Sequence, residues 1–125
     1  MPAKKHNEAF ISIVQSSRAK IQELTVAQVM ALQETGEPFA FVDVREDREW
    51  LHSHITGARH LSKGTIERDV ELYYRTVDIE LILYCADGNR SALAAASLNR
   101  MGFKGACTMI GGFKAWKAAG GSIGL

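Results

Sequence analysis

The sequence predicts an α/β fold with a small, mainly parallel sheet. One observation is a set of short, nearly continuous apolar runs, "FAFVDV" at 39–44, "ELILY" at 80–84 and "GACTMI" at 105–110. Strands covered on both faces read this way. The other is that helix-like stretches alternate with these runs, which demands parallel strands joined by crossover helices. With 125 residues, the chain has the length of one domain and is long enough to bury a core. Hydrophobic residues make up 46% and charged residues 23%, a composition that points to neither disorder nor a membrane protein. Fifteen Lys and Arg against fourteen Asp and Glu leave a net charge of +1, too little to steer the whole molecule to nucleic acid or an anionic membrane. Neither is expected as a partner, and any anion binding must be local.

In chain order, Phe10, Ile13, Val14 and Ser17 recur at helical spacing within residues 8–20 and predict a short amphipathic helix. Residues 1–21 are thus expected to form a docking helix, set against its own domain or another subunit; the pattern leaves the oligomeric state open. Thr25 followed by Gln28 is a capping-box pattern for a second helix that stops near Gly36. After Pro38, Phe39–Val44 reads as a buried strand with Asp43 its one polar intrusion. A helical turn follows around Asp47 to Leu51, then a loop through Gly57, a strand near Ala58–Leu61 and a helix over 63–77. The strand at 80–84 leads into a helix over 90–102, the strand at 105–110 and a terminal helix flanked by glycines at 111–121.

Only two cysteines occur, Cys85 and Cys107, so no disulfide framework is expected and a reducing compartment is the natural home. The start, "MPAKKHNEAF", lacks the apolar core of a secretory signal, and no apolar run approaches membrane-spanning length. The expected location is cytoplasmic.

Ligands of parallel sheets bind outside the carboxyl ends of the strands. The segments leaving those ends are "VDVRE" at 42–46, "CADGNRS" at 85–91 and "IGGF" at 110–113, which can converge with Cys85 at the centre. A turn from Cys85 that flows into a helix N-terminus aims backbone N–H groups inward, forming a nest that stabilises a thiolate. Gly88 permits the backbone conformation, and Arg90 adds a cation with a planar fork of donors. Cys85 is therefore the candidate nucleophile, with its reactive form populated near neutral pH, and Ala86, Asp87, Gly88, Asn89, Arg90 and Ser91 are the expected substrate-binding cradle around it. Asp43 and Arg45 are expected to form a buried interaction beneath the loop, and Cys107, inside an apolar strand, to be core. His52, His54 and His60 match no strong zinc spacing; no metal is expected, and His54 reads as a structural hydrogen-bonding residue.

"CADGNRS" resembles the Cys-x-x-Gly-x-Arg-Ser loop of single-domain rhodanese sulfurtransferases. "VDVREDREWLHSHITGARHLS" is similar to that family's Asp-Val-Arg segment and the His-Ile-x-Gly-Ala stretch after it. "MIGGFKAW" is similar to its closing Gly-Gly-x-x-x-Trp element, which singles out Gly111 and Gly112 as supports of the site. The resemblance runs over roughly residues 22–119. It implies a rhodanese domain over 22–125, a three-layer α/β/α fold, no cofactor, and a Cys85 persulfide formed in two half-reactions. The implied partners are a small sulfur donor such as thiosulfate and an acceptor: cyanide in vitro, a thiol in the cell, or a protein.

Ser53 stands where the family usually has Gly, and "RHLS" replaces its Asn-Ile-Pro ending. Asp87 sets a carboxylate beside the cradle that opposes a dianionic donor. Two other classes share parts of the pattern. Phosphatases and arsenate reductases have a Cys-Arg anion cradle, but phosphatase loops run Cys-x5-Arg, and here four residues separate Cys85 from Arg90. Non-catalytic rhodanese-like modules commonly lack the cysteine that this chain keeps.

Overall fold

The structure, a computed structural model, describes residues 7–125. In chain order its elements are α1 (Glu8–Arg18), β1 (Gln22–Leu24), α2 (Val26–Thr35), β2 (Ala40–Asp43), α3 (Asp47–His52), β3 (His54–Ile55), β4 (Arg59–His60), α4 (Ile66–Tyr73), β5 (Leu81–Tyr84), α5 (Asn89–Arg100), β6 (Ala106–Met109), α6 (Gly112–Ala118) and β7 (Ile123–Gly124). Five strands form one sheet in the order β1-β6-β5-β2-β4, and every neighbouring pair is parallel. The three inner strands are buried along their whole length, as their nearly continuous apolar runs require.

Side chains alternate across the sheet, so each inner strand feeds two cores. Val42, Leu81 and Leu83 join Ile66 and Val70 of α4 and Ala94, Ala95 and Leu98 of α5 on one face. Phe41, Ile82 and Tyr84 join Val29 of α2 and Phe113 and Trp116 of α6 on the other. Helices cover both faces, and the fold is a three-layer α/β/α sandwich, as the sequence predicts.

Local signals set the helix ends. Thr25 Oγ1 accepts from the Gln28 N–H at 3.1 Å while Gln28 Oε1 accepts from the Thr25 N–H at 2.8 Å, and Gly36 closes α2 with φ +73°. Asn7 caps α1, accepting from the Phe10 N–H at 2.7 Å, and α1 lies against α5 of its own chain.

The structure departs from the sequence expectations at several small elements. β1 is a strand where none is expected: Gln22 and Glu23 are polar, only Leu24 is buried, and β1 is held by pairing with β6 at the sheet edge. The strand expected at 58–61 shortens to Arg59–His60, and the helix expected over 63–77 ends at Tyr73 because Tyr74 is extended. β3 and β7 form a two-residue antiparallel ribbon, too short for any period to announce. Among the described residues, no helix is long and apolar enough to cross a membrane.

Candidate active site

Parallel pairing puts the carboxyl ends of β2, β5 and β6 at one edge, and backbone hydrogen bonds tie their exits together. The Val44 N–H donates to the Tyr84 carbonyl at 2.9 Å, and the Phe113 and Lys114 N–H groups donate to the carbonyls of Cys85 and Ala86 at 2.8 and 3.1 Å. Gly112 makes this approach possible. Its φ is +57°, and a Cβ there would collide with the Cys85 carbonyl oxygen.

Cys85 is fully buried, with 0% of its surface exposed. Its Sγ accepts from the Gly88 N–H at 3.0 Å and the Ser91 N–H at 3.4 Å, and Asp87 Oδ1 lies 3.8 Å away. Gly88 turns the loop inward with φ +101°. Two amides aimed at one sulfur, at the start of α5, form an environment suited to negative charge there. Ser91 also donates to or accepts from Thr108 Oγ1 at 2.6 Å, which fastens the end of the loop to β6. Asp87 Oδ1 accepts from the Asn89 N–H at 3.1 Å, and the Asn89 side-chain amide donates to Asp87 Oδ2 at 3.4 Å.

Arg90 is oriented by a residue that sequence reasoning misses. Its two terminal nitrogens donate to Glu49 of α3 at 2.7 and 3.1 Å, a bidentate pair about a quarter exposed. The fork expected to meet substrate is thus engaged by a carboxylate, while its charge stands near Cys85 and Asp87. Hydrogen bonding from Arg90 pulls the Glu49 carboxyl down to about 2, and Glu49 in turn raises Arg90 above its ordinary range. The signal was available in position: α3 begins directly after the carboxyl end of β2, so a carboxylate in its first turn faces the same edge.

Asp43 and Arg45 form the expected buried pair, at the carboxyl end of β2. Arg45 Nη2 donates to Asp43 Oδ2 at 2.8 Å and to the Ser53 carbonyl at 2.7 Å, and the guanidinium lies 4.3 Å from the centre of the Phe113 ring. It braces β2, the start of β3 and α6 at once. His54 Nδ1 is 3.1 Å from the Trp50 carbonyl and its ring stacks on that indole at 3.6 Å, a structural role. Burial pushes the Cys107 thiol up to about 12, which leaves it a protonated core residue.

A cavity of about 290 Å³, lined by Arg45, His52, Ser53, Ala86, Phe113, Lys114 and Lys117, borders the loop on its α6 side. A larger one of about 940 Å³ lies along β2 and β4, near Phe39, Arg59 and Tyr74, and neither cysteine lines it. Size alone does not locate the chemistry here.

The family model described as Rhodanese-like domain matches residues 25–119. The chain belongs to the rhodanese-like family. Among curated relatives, it is 30% identical over 102 residues to the thiosulfate sulfurtransferase GlpE of Pseudomonas fluorescens, covering 80% of this chain and 88% of that protein. It is 35% identical over 98 residues to the probable adenylyltransferase/sulfurtransferase MoeZ of Mycobacterium tuberculosis, covering 78% of this chain but only 25% of that protein. The chain therefore spans about a quarter of the mycobacterial protein's length. Among solved structures, a Rhodopseudomonas palustris protein of unknown function, described as a possible tyrosine phosphatase, superposes with a TM-score of 0.82 at 30% identity over 99% of both chains. A rhodanese-related protein of Thermoplasma volcanium superposes with a TM-score of 0.70 at 25% identity, over 83% of this chain and 98% of that one. The rhodanese fold and sulfurtransferase relatives follow directly from these matches.

Proposed function

We propose that the protein is a rhodanese-type sulfurtransferase that carries sulfur on Cys85. The observation that carries this reading is the pair of N–H donors, from Gly88 and Ser91, converging on the Cys85 sulfur. In the first half-reaction the Cys85 thiolate attacks the outer sulfur of a donor such as thiosulfate. The donor's S–S bond breaks, sulfite leaves with the electron pair, and Cys85 becomes a persulfide. In the second, cyanide, a thiol or a protein thiol attacks the outer sulfur of the persulfide and Cys85 leaves as thiolate. The loop amides stabilise the charge at both stages, and the Arg90 charge nearby does so through space. Asp87 opposes a dianionic donor and favours one with less charge near its sulfur. Two free cysteines and no disulfide suit a reducing, cytoplasmic setting.

Intact mass spectrometry after incubation with thiosulfate and other sulfane donors tests the reading. One sulfur atom should be gained by the wild type and by Cys107→Ser, and none by Cys85→Ser. Uptake that persists in Cys85→Ser, or absence of uptake from every donor, overturns it.

The phosphatase description of the Rhodopseudomonas palustris relative favours a second reading, hydrolysis of an aryl phosphate by the same cysteine. Against it stand the four-residue spacing from Cys85 to Arg90 and the engagement of Arg90 with Glu49, which leaves its fork turned to protein rather than to a phosphate. Turnover of p-nitrophenyl phosphate abolished by Cys85→Ser would establish the second reading in place of the first.

A further inference from the structure

The N-terminal helix reaches the catalytic loop. Arg18, the last residue of α1, extends to the start of α5, where its Nη2 donates to Asn89 Oδ1 at 3.2 Å. The same nitrogen would lie 3.5 Å from a Cβ placed on Gly88, so the guanidinium rests against the turn whose N–H meets the Cys85 sulfur. Its Nε is buried without a hydrogen-bond partner. Leaving a buried N–H unsatisfied costs free energy, so helix packing alone does not account for an arginine here. Arg18 also precedes residue 25, where the family match begins, so the shared domain does not supply this group.

The contacts form a relay. Arg18 holds the Asn89 carbonyl oxygen, the other end of that amide donates to Asp87 Oδ2, and Asp87 Oδ1 stands 3.8 Å from Cys85 Sγ. The Asn89 backbone N–H also donates to Asp87 Oδ1, so Asp87 and Asn89 form one hydrogen-bonded unit that Arg18 ties to α1. From this geometry we infer that Arg18 is a positioning residue of the sulfur site: through Asn89 it fixes the Asp87 carboxylate and the Gly88 turn around Cys85. This inference rests on the sulfurtransferase reading for its activity readout. In these terms α1 is a structural component of the active site.

The test is a double-mutant cycle on single-turnover sulfur uptake. A hydrogen bond to a charged group is worth enough to change a rate by roughly tenfold. Arg18→Ala and Asn89→Ala should each slow uptake at saturating donor by about that factor, more than they change the Michaelis constant. The double variant should be no slower than the slower single variant, because both cut the same relay. Arg18→Lys should recover part of the rate, and it also serves if Arg18→Ala folds poorly. Amide hydrogen exchange supplies a readout that needs no sulfur chemistry: in Arg18→Lys and Arg18→Ala the Gly88 and Asn89 amides should exchange faster while that of Ala95, in the middle of α5, is unchanged. Effects that multiply in the double variant, a wild-type rate in Arg18→Ala, or exchange that rises equally along α5 overturn the inference. If the wild type takes up no sulfur, the functional reading fails instead, and the exchange experiment still decides the role of Arg18.

Discussion

Replacing Glu49 by Gln keeps the size of the side chain and removes the charge that orients Arg90. Two charge-assisted hydrogen bonds, at 2.7 and 3.1 Å, are weakened. The carboxyl is drawn from 4.5 to about 2, and since each pH unit is worth ~1.36 kcal/mol this sets a ceiling of about 3 kcal/mol. Both side chains keep between a quarter and a third of their surface in water, so solvent screening reduces the expected loss to about 1–2 kcal/mol. The folded-state value lies below the unfolded one. The stabilisation is therefore complete above about pH 4.5 and is lost as the pH falls toward about 2. Urea unfolding of wild type and Glu49→Gln should show a gap of about 1–2 kcal/mol at pH 7 that narrows steadily on acidification below pH 4.5. A gap that is the same at pH 7 and near pH 2.5 would show that the pair contributes by packing and not by charge, and would refute the electrostatic reasoning.

Arg90→Ala should slow sulfur uptake, since the charge it holds near Cys85 acts through space and is worth on the order of 1 kcal/mol or more in a partly buried setting, and Arg90→Lys should restore the rate only in part because the bidentate pair with Glu49 is lost; stopped-flow or rapid-quench uptake assays measure both. Asp87→Asn should lower the Michaelis constant for thiosulfate, because an exposed like charge nearby is worth on the order of 1 kcal/mol, with the larger effect at low salt; an unchanged constant at two ionic strengths counts against the repulsion. Gly112→Ala should destabilise the fold by about 2–3 kcal/mol, combining positive-φ strain with a collision against the Cys85 carbonyl, whereas Gly57→Ala, with φ +87° and open space around it, should cost only the ~1–2 kcal/mol of strain. Thermal unfolding of the two variants compares them, and equal losses would show that the close approach at Gly112 carries no weight.

The sequence makes the inner strands legible because burial on both faces leaves them no polar residues to confuse the pattern, apart from Asp43 in β2 and Thr108 in β6, each with a buried partner. The α2 boundaries are legible for a different reason: Thr25, Gln28 and Gly36 act locally, within one turn of the chain. β1 is hidden because an edge strand is made by its neighbour, and Gln22 and Glu23 carry no strand signal of their own. At the site, the nest can be read from Cys85, Gly88 and Ser91, since its geometry belongs to a single turn. Chain order places Glu49 at the same edge, but its pairing with Arg90, like that of Arg18 with Asn89, cannot be read in the same way. Their contacts span 41 and 71 residues, and such pairings exist only after the layers have assembled.

The complete burial of Cys85 bears on how the protein meets oxidants. A nucleophilic cysteine is also the residue most readily taken to sulfinic and sulfonic acids, and those steps are not reversed by ordinary thiols. With no surface exposed, Cys85 is met by peroxide only when its surroundings part, and under the proposed function that opening must also admit a sulfur donor. The Arg90–Glu49 and Arg18–Asn89 contacts tie the rim of the loop to α3 and α1, so openings should be brief. On the same reading, a donor held in the neighbouring cavity beside Ala86, which Lys114 and Lys117 line, gains an advantage over a small neutral oxidant that does not wait there. Competition between the two would then be decided by which is held beside the loop when it opens, and the cover over the sulfur would work as a kinetic filter.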